Sequence, residues 1–165
     1  MKALIAGATL LLASSVAFAD SPDSRFMKGA AEGGISEVEL GQLAQQKGTN
    51  PAVKEFGAMM VKDHSAANDK LKALAASKQV SLPDSSSVMQ KATKTKLNML
   101  SGDTFDKSYV KGMIDDHKTD IKEFQKEVAE GKDADVKAFA VATLPTLQNH
   151  LQKIQSIAAA AGIKE

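Results

Sequence analysis

The sequence predicts an all-α protein, a four-helix bundle with one long connection between its second and third long helices. Three observations carry that expectation. Past its first nineteen residues the chain is rich in Ala, Lys, Leu, Glu and Gln, and aromatics make up only 4% of the sequence, a composition that favours helix. Apolar residues recur at alternating spacings of three and four through four long segments, as they do on a helix that buries one face. Gly, Pro, Asn and Ser cluster between those segments, where helices stop and restart.

Residues 1–19 stand apart as an expected secretory signal peptide. Lys2 gives a positive start, "ALIAGATLLLASSVAF" is apolar, and Ala17-Phe18-Ala19 is a small-x-small cleavage site. That apolar stretch is too short for a membrane span. Cleavage near Ala19 would leave residues 20–165 as one domain, periplasmic or secreted, beginning at Asp20. With no cysteine there is no lipid anchor and no disulfide, although export would permit one. Removing Lys2 takes 21 basic residues to 20, against 20 acidic ones. A formally neutral chain offers no basic patch for nucleic acid or an anionic membrane. No later stretch is apolar enough for a transmembrane segment, so the mature protein is expected to be soluble.

In chain order, Ser21 suits an N-cap and Pro22 the first helical position of a helix running to about Lys47. Gly48-Thr49-Asn50-Pro51 closes it and opens a second helix, which runs to about Lys78. Gln79 to Gly102 is Ser-rich and Pro-punctuated at its start, then reads as a short extra helix from about Ser86 to Leu100. A third long helix opens near Asp103 and ends at Gly131. The fourth runs from Asp133 or Ala134 to about Ala161, with Pro145 expected to kink it or loosen one turn. The tight turns make two antiparallel hairpins. The long connection can travel the length of the bundle and let the second and third long helices run parallel. That single crossover is the ferritin-like arrangement; up-down-up-down is the alternative.

The buried stripes are Phe26, Ala30, Gly33, Glu37, Leu40, Ala44; then Val53, Phe56, Met60, His64, Ala67, Leu71, Leu74; then Val110, Met113, His117, Ile121, Phe124, Val128; and Val136, Ala140, Thr143, Leu147, His150, Ile154, Ile157. Every one of the three histidines of the chain falls on a seam, one per helix, and the histidine-free helix brings Glu37 instead. From the turn at Thr49, Glu37 is twelve residues away and His64 fifteen; from Gly131, His117 is fourteen away and His150 nineteen. At about 1.5 Å per residue these offsets are roughly 5–8 Å, so the four groups meet near mid-bundle. Three imidazoles and one carboxylate form a set for a divalent transition metal, zinc or copper first and iron as a further option. The rival is a metal-free His/Glu hydrogen-bond network, which would also satisfy a buried Glu37.

Five more residues surround that set. Asp63 and Asp116 each precede a histidine and read as surface charges or capping partners, or else could accept an N–H from a ring on a neighbouring helix. Met60 and Met113 each stand four residues before a histidine, a soft pairing suited to copper(I), or else core filler. Glu39 points about 200° from Glu37 around the helix and reads as a solvated or interhelical charge.

With these residues in view, the chain resembles the exported bacterial family called domain of unknown function 4142, DUF4142. The resemblance rests on "FMKGAAEGGISEVELGQLAQQKGTNPAVKEFGAMMVKDHSAAN", "FDKSYVKGMIDDHKTDIKEF" and "LPTLQNHL", in order and suitably separated. It implies a periplasmic or envelope-associated, ferritin-like bundle and supplies no biochemical role. A di-iron carboxylate enzyme would need Glu three residues before two of its histidines. Val61, Ile114 and Leu147 stand there. No Ser-His-Asp set and no Gly-rich phosphate loop occurs, and plain helices with short turns give little material for a cleft. The expected function is therefore a single structural or cargo metal in an exported bundle. A metal-free envelope stress or interaction protein is the alternative, and a metal-dependent oxidoreductase the third reading.

Overall fold

The computed structural model describes residues 21–164, so the expected signal peptide lies outside the described residues. Five helices follow one another: α1 (Pro22–Lys47), α2 (Pro51–Ser77), α3 (Val88–Asn98), α4 (Gly102–Glu130) and α5 (Ala134–Ala160). No strand occurs among the described residues. Nor, among them, is any helix long and apolar enough to cross a membrane.

Local chemistry explains the boundaries. Ser21 Oγ accepts from Ser24 N at 3.0 Å, with Pro22 opening α1. Asn50 Oδ1 accepts from Ala52 N at 2.9 Å, with Pro51 opening α2. Ser87 and Gln90 form a reciprocal capping box on α3. Asp133 Oδ1 accepts from Asp135 N at 3.0 Å and Val136 N at 3.1 Å, starting α5. α5 runs through Pro145 without a break in helical structure. Pro145 is exposed.

α1 pairs with α2 and α4 with α5, while α1 also meets α4 and α2 meets α5. At one end, buried Asp106 near the start of α4 accepts from Thr49 N (3.1 Å), Asn50 N (2.8 Å) and Thr49 Oγ1 (2.5 Å). At the other end Asp23 accepts from Lys132 N at 2.8 Å, and Lys78 Nζ reaches Asp133 at 2.7 Å. Both α2 and α4 thus run from the Thr49 end to the Lys132 end, parallel to each other. The 79–101 connection carries the chain back the length of the molecule. α3 lies within that connection against α1 and α4, and buries Leu97. Glu39 Oε2 holds it, accepting from Ser86 Oγ (3.3 Å) and pairing with Lys94 Nζ (3.3 Å), and Lys47 Nζ donates to the Asn98 carbonyl.

α1 and α2 cross with backbone against backbone. A Cβ on Gly57 would stand 2.6 Å from the Gly41 carbonyl oxygen, and one on Gly41 would stand 2.7 Å from that of Gly57. Only two glycines permit this approach.

Apolar residues collect toward the two ends. Phe56, Met60, Phe105, Tyr109, Met113 and Ile154 belong to one cluster; Met27, Leu71 and Val136 form the heart of another, and Phe124, Ala140 and Leu147 a third. Between them Glu37, His64, His117 and His150 make a polar layer, all buried. The expected seams of α2, α4 and α5 hold at Val53, Phe56, Met60, His64 and Leu71, at Val110, Met113, His117 and Phe124, and at Val136, Ala140, Leu147, His150 and Ile154. Leu74, Ile121, Val128 and Ile157 are only partly buried. In the first half of α1 the buried residues are Met27, Ala31 and Gly34 rather than Phe26, Ala30 and Gly33. The stripe rejoins the expected one at Glu37.

Candidate metal centre

Each histidine is seated by apolar neighbours one or two turns along its own helix: Met60 and Leu71 flank His64, Met113 and Phe124 flank His117, Leu147 and Ile154 flank His150. These fix the depth of the rings. Their orientation comes from hydrogen bonds on their outward nitrogens. His117 Nδ1 lies 2.9 Å from the Met113 carbonyl oxygen, which can only accept, so Nδ1 carries the hydrogen. His150 Nε2 lies 3.0 Å from Asp63 Oδ2 and donates to it. His64 Nδ1 lies 2.9 Å from Glu37 Oε2 and donates there. A second contact, His117 Nδ1 to Glu37 Oε1 at 3.4 Å, is longer than the bond to Met113, which takes the hydrogen.

With their outward nitrogens protonated, the neutral rings have bare inward nitrogens: His64 Nε2, His117 Nε2 and His150 Nδ1. His117 Nε2 and His150 Nδ1 face each other at 3.3 Å. His64 Nε2 is buried with no hydrogen-bond partner. One nitrogen from each ring lies within 4.8 Å of those of the other two. Three lone pairs therefore converge without a proton among them.

Protonating a ring would relieve that repulsion, but burial opposes it. His64 is pushed down to about 4 by burial, against the opposing pull of Asp120 and Asp63. His117 and His150 are likewise lowered, first by burial. Burial pushes Glu37 up to about 7, with the neighbouring His117 working the other way. Asp120, half-buried one turn from Asp116, is raised to about 8 by burial and then by the charge of Glu37.

The other residues singled out in the sequence take varied places. Asp63 takes the N–H of an imidazole from a neighbouring helix. Asp116 is exposed and lines a cavity under α3. Met113 serves His117 through its backbone carbonyl, and Met60 is fully buried in the apolar cluster below. Glu39 holds α3. Glu37 stands on the outer side of His64, where it orients the ring. Phe56, unforeseen as a site residue, presents its ring to His117 and His150 at centroid distances of 6.4 and 6.2 Å. A small cavity of about 30 Å³, touched by Glu37, His64, Asn68 and Asp120, adjoins the layer.

The sequence profile of the family described as Domain of unknown function (DUF4142) matches residues 10–157. The chain belongs to the DUF4142 family. Its fold is shared with proteins of very different sequence. A DUF305 fragment from Deinococcus radiodurans is 10% identical, with a TM-score of 0.76 over 86% of this chain and 98% of that one. A DUF305 protein from Streptomyces coelicolor is 17% identical, with a TM-score of 0.75 over 89% and 98%. A conserved hypothetical protein from Mycobacterium tuberculosis is 15% identical, with a TM-score of 0.67 over 84% and 92%. No curated protein matches the sequence. For this DUF4142 chain the likenesses speak to the fold, and the chemistry rests on its own side chains.

Proposed function

We propose that this DUF4142 protein is an exported, ferritin-like four-helix bundle that holds one first-row transition-metal ion on His64, His117 and His150. The observation that carries this is the 3.3 Å separation of two bare, facing imidazole nitrogens. Two nitrogens about 2.0–2.1 Å from a tetrahedral zinc lie roughly 3.3–3.4 Å apart, so this pair already spans one edge of a coordination tetrahedron. A nitrogen of each of the three rings lies within 4.8 Å of the other two, so the third has to close by no more than about 1.4 Å to complete the face. Glu37, Asp63 and the Met113 carbonyl then act as carboxylate and carbonyl partners do behind metal-bound histidines, fixing tautomer and raising basicity. In this reading Glu37 orients a ligand instead of being the fourth one. A fourth position left open would suit zinc or copper with a water, held as cargo or as structural metal. A metal-free network is the rival reading, and the three satisfied outward nitrogens favour it as much as they favour a metal.

Elemental analysis of protein purified from its native compartment, beside His117→Ala, separates the two. About one metal ion per chain, lost in the variant, is the expected result. Metal-free protein that takes up neither zinc, copper nor cobalt on titration would end the metal reading and leave a buried polar network.

A further inference from the structure

The proposed ion needs a way to a buried layer, and two cavities approach that layer from opposite sides. Between α2 and α5 runs a groove of about 880 Å³ whose walls include Lys62, Lys153, Glu55 and Asp63. Its charges cancel, and Asp63 is already occupied by His150. Its floor is Phe56, 3% exposed, whose ring stands edge-on between the groove and the imidazoles. On the opposite side, beneath α3, a cavity of about 240 Å³ is lined by Asp116, Asp120 and Glu37, and none of its lining residues is basic. Glu37 and Asp120 also line the small inner cavity that touches His64. The three carboxylates are graded in depth: Asp116 exposed, Asp120 half-buried, Glu37 3% exposed. Glu37 Oε1 is buried in this wall with no hydrogen-bond partner of its own.

Resting on the metal reading above, we infer that divalent cations reach the three imidazoles beneath α3, passed from Asp116 to Asp120 to Glu37. The volumes fit such a passage. Six waters around a cation occupy roughly 180 Å³ at their liquid volume of about 30 Å³ each. The outer cavity, about 240 Å³, accommodates that shell, and the inner one, about 30 Å³, accommodates a bare ion or one water. The cation therefore sheds its shell at Asp120 and Glu37, whose oxygens replace the lost waters as it moves to nitrogen. α3, held by Glu39, roofs this passage with Met89, Gln90 and Thr93.

Stopped-flow loading of the full mature chain with cobalt(II) tests the route, read by the visible bands of the bound ion. Thr93→Lys sets a positive charge at the exposed mouth without touching the core. Asp116→Asn with Asp120→Asn removes two of the three carboxyl groups of that wall. Lys153→Gln alters the opposite groove. The double variant is expected to load about tenfold more slowly at low salt, Thr93→Lys to slow in the same direction, and both to lose the salt sensitivity of the parent. Lys153→Gln should load at the parent rate. If cobalt fills one site per chain at the parent rate in both α3-side variants, or if only Lys153→Gln changes the rate, this route is wrong and the metal site stands. If the parent chain binds no cobalt at all, the site itself is wrong and the route goes with it.

Discussion

Replacing Gly57 by Ala sets two known effects against each other. Alanine favours a helix interior over glycine by about 1 kcal/mol, so the exchange should stabilise wherever the methyl has room. At Gly57 it does not. The new Cβ would lie 2.6 Å from the Gly41 carbonyl oxygen, 2.9 Å from Ala44 Cβ and 3.3 Å from Gln45 N. Two of these three are backbone atoms of α1, which cannot swing aside as a side chain can. Restoring ordinary contact of about 3.4 Å means moving α1 off α2 by roughly 0.8 Å, and overpacking of this kind costs about 1–3 kcal/mol. Net destabilisation of about 0–2 kcal/mol is expected, against a gain at a site with room. Gly29, in the same helix as Gly41 and with nothing within 4 Å of an added methyl, is the control: Gly29→Ala should gain about 0.5–1 kcal/mol. Urea unfolding followed by far-ultraviolet circular dichroism measures both. The same shift would draw Glu37, one turn from Gly41, off His64 and weaken cobalt binding. Equal midpoints for the two alanine variants would refute the reasoning, because helix propensity alone would then account for both.

Three further outcomes are expected. Asp106→Ala leaves Thr49 N and Asn50 N without their charged acceptor and should cost about 2–4 kcal/mol in the same urea assay; a loss under about 0.5 kcal/mol would mean water replaces it freely. Asp63→Asn keeps the fold but weakens the hold on the His150 tautomer, lowering cobalt affinity about 10–100-fold by competitive titration, and an unchanged affinity would separate Asp63 from the site. Glu37, raised to about 7 by burial, must be a carboxylate to accept from His64 Nδ1 and leave Nε2 bare. Protons therefore compete as the pH falls through 7, and cobalt affinity should drop about tenfold per pH unit between about pH 7 and 5. His64, held down to about 4, adds no second proton in that window. The slope should vanish in Glu37→Gln; its survival would assign the proton elsewhere.

Much of this molecule was legible because its signals are local. Ser21-Pro22 and Asn50-Pro51 mark helix starts by cap chemistry that needs no tertiary context, and α1 and α2 begin where those pairs stand. The histidines could be assigned to seams because large apolar residues flank each one and fix the phase of its stripe. The first half of α1 lacks such markers: "KGAAEGG" offers small residues on every side, and the one-residue slip from Ala30 to Ala31 cannot be seen in it. Roles at the layer were harder still. Whether a carboxylate meets a metal or the back of an imidazole depends on an ångström or two of helix stagger, which spacing in sequence does not resolve. Asp106 was missed because its partners, Thr49 and Asn50, are more than fifty residues away and are backbone groups, which leave no mark in a sequence.

The inward nitrogens stand on α2, α4 and α5, and tertiary contacts seat two of their rings: Asp63 of α2 turns His150 of α5, and Glu37 of α1 turns His64 of α2. An unfolded chain has only three scattered imidazoles of ordinary basicity and no shared point. Selection thus becomes a question of timing and place. On the metal reading proposed above, the ion retained would be whichever is available where the hairpins first close on each other, and a chain exported before folding would arrive empty-handed on the far side. Changing the compartment in which this chain folds should change its metal without changing one of its residues.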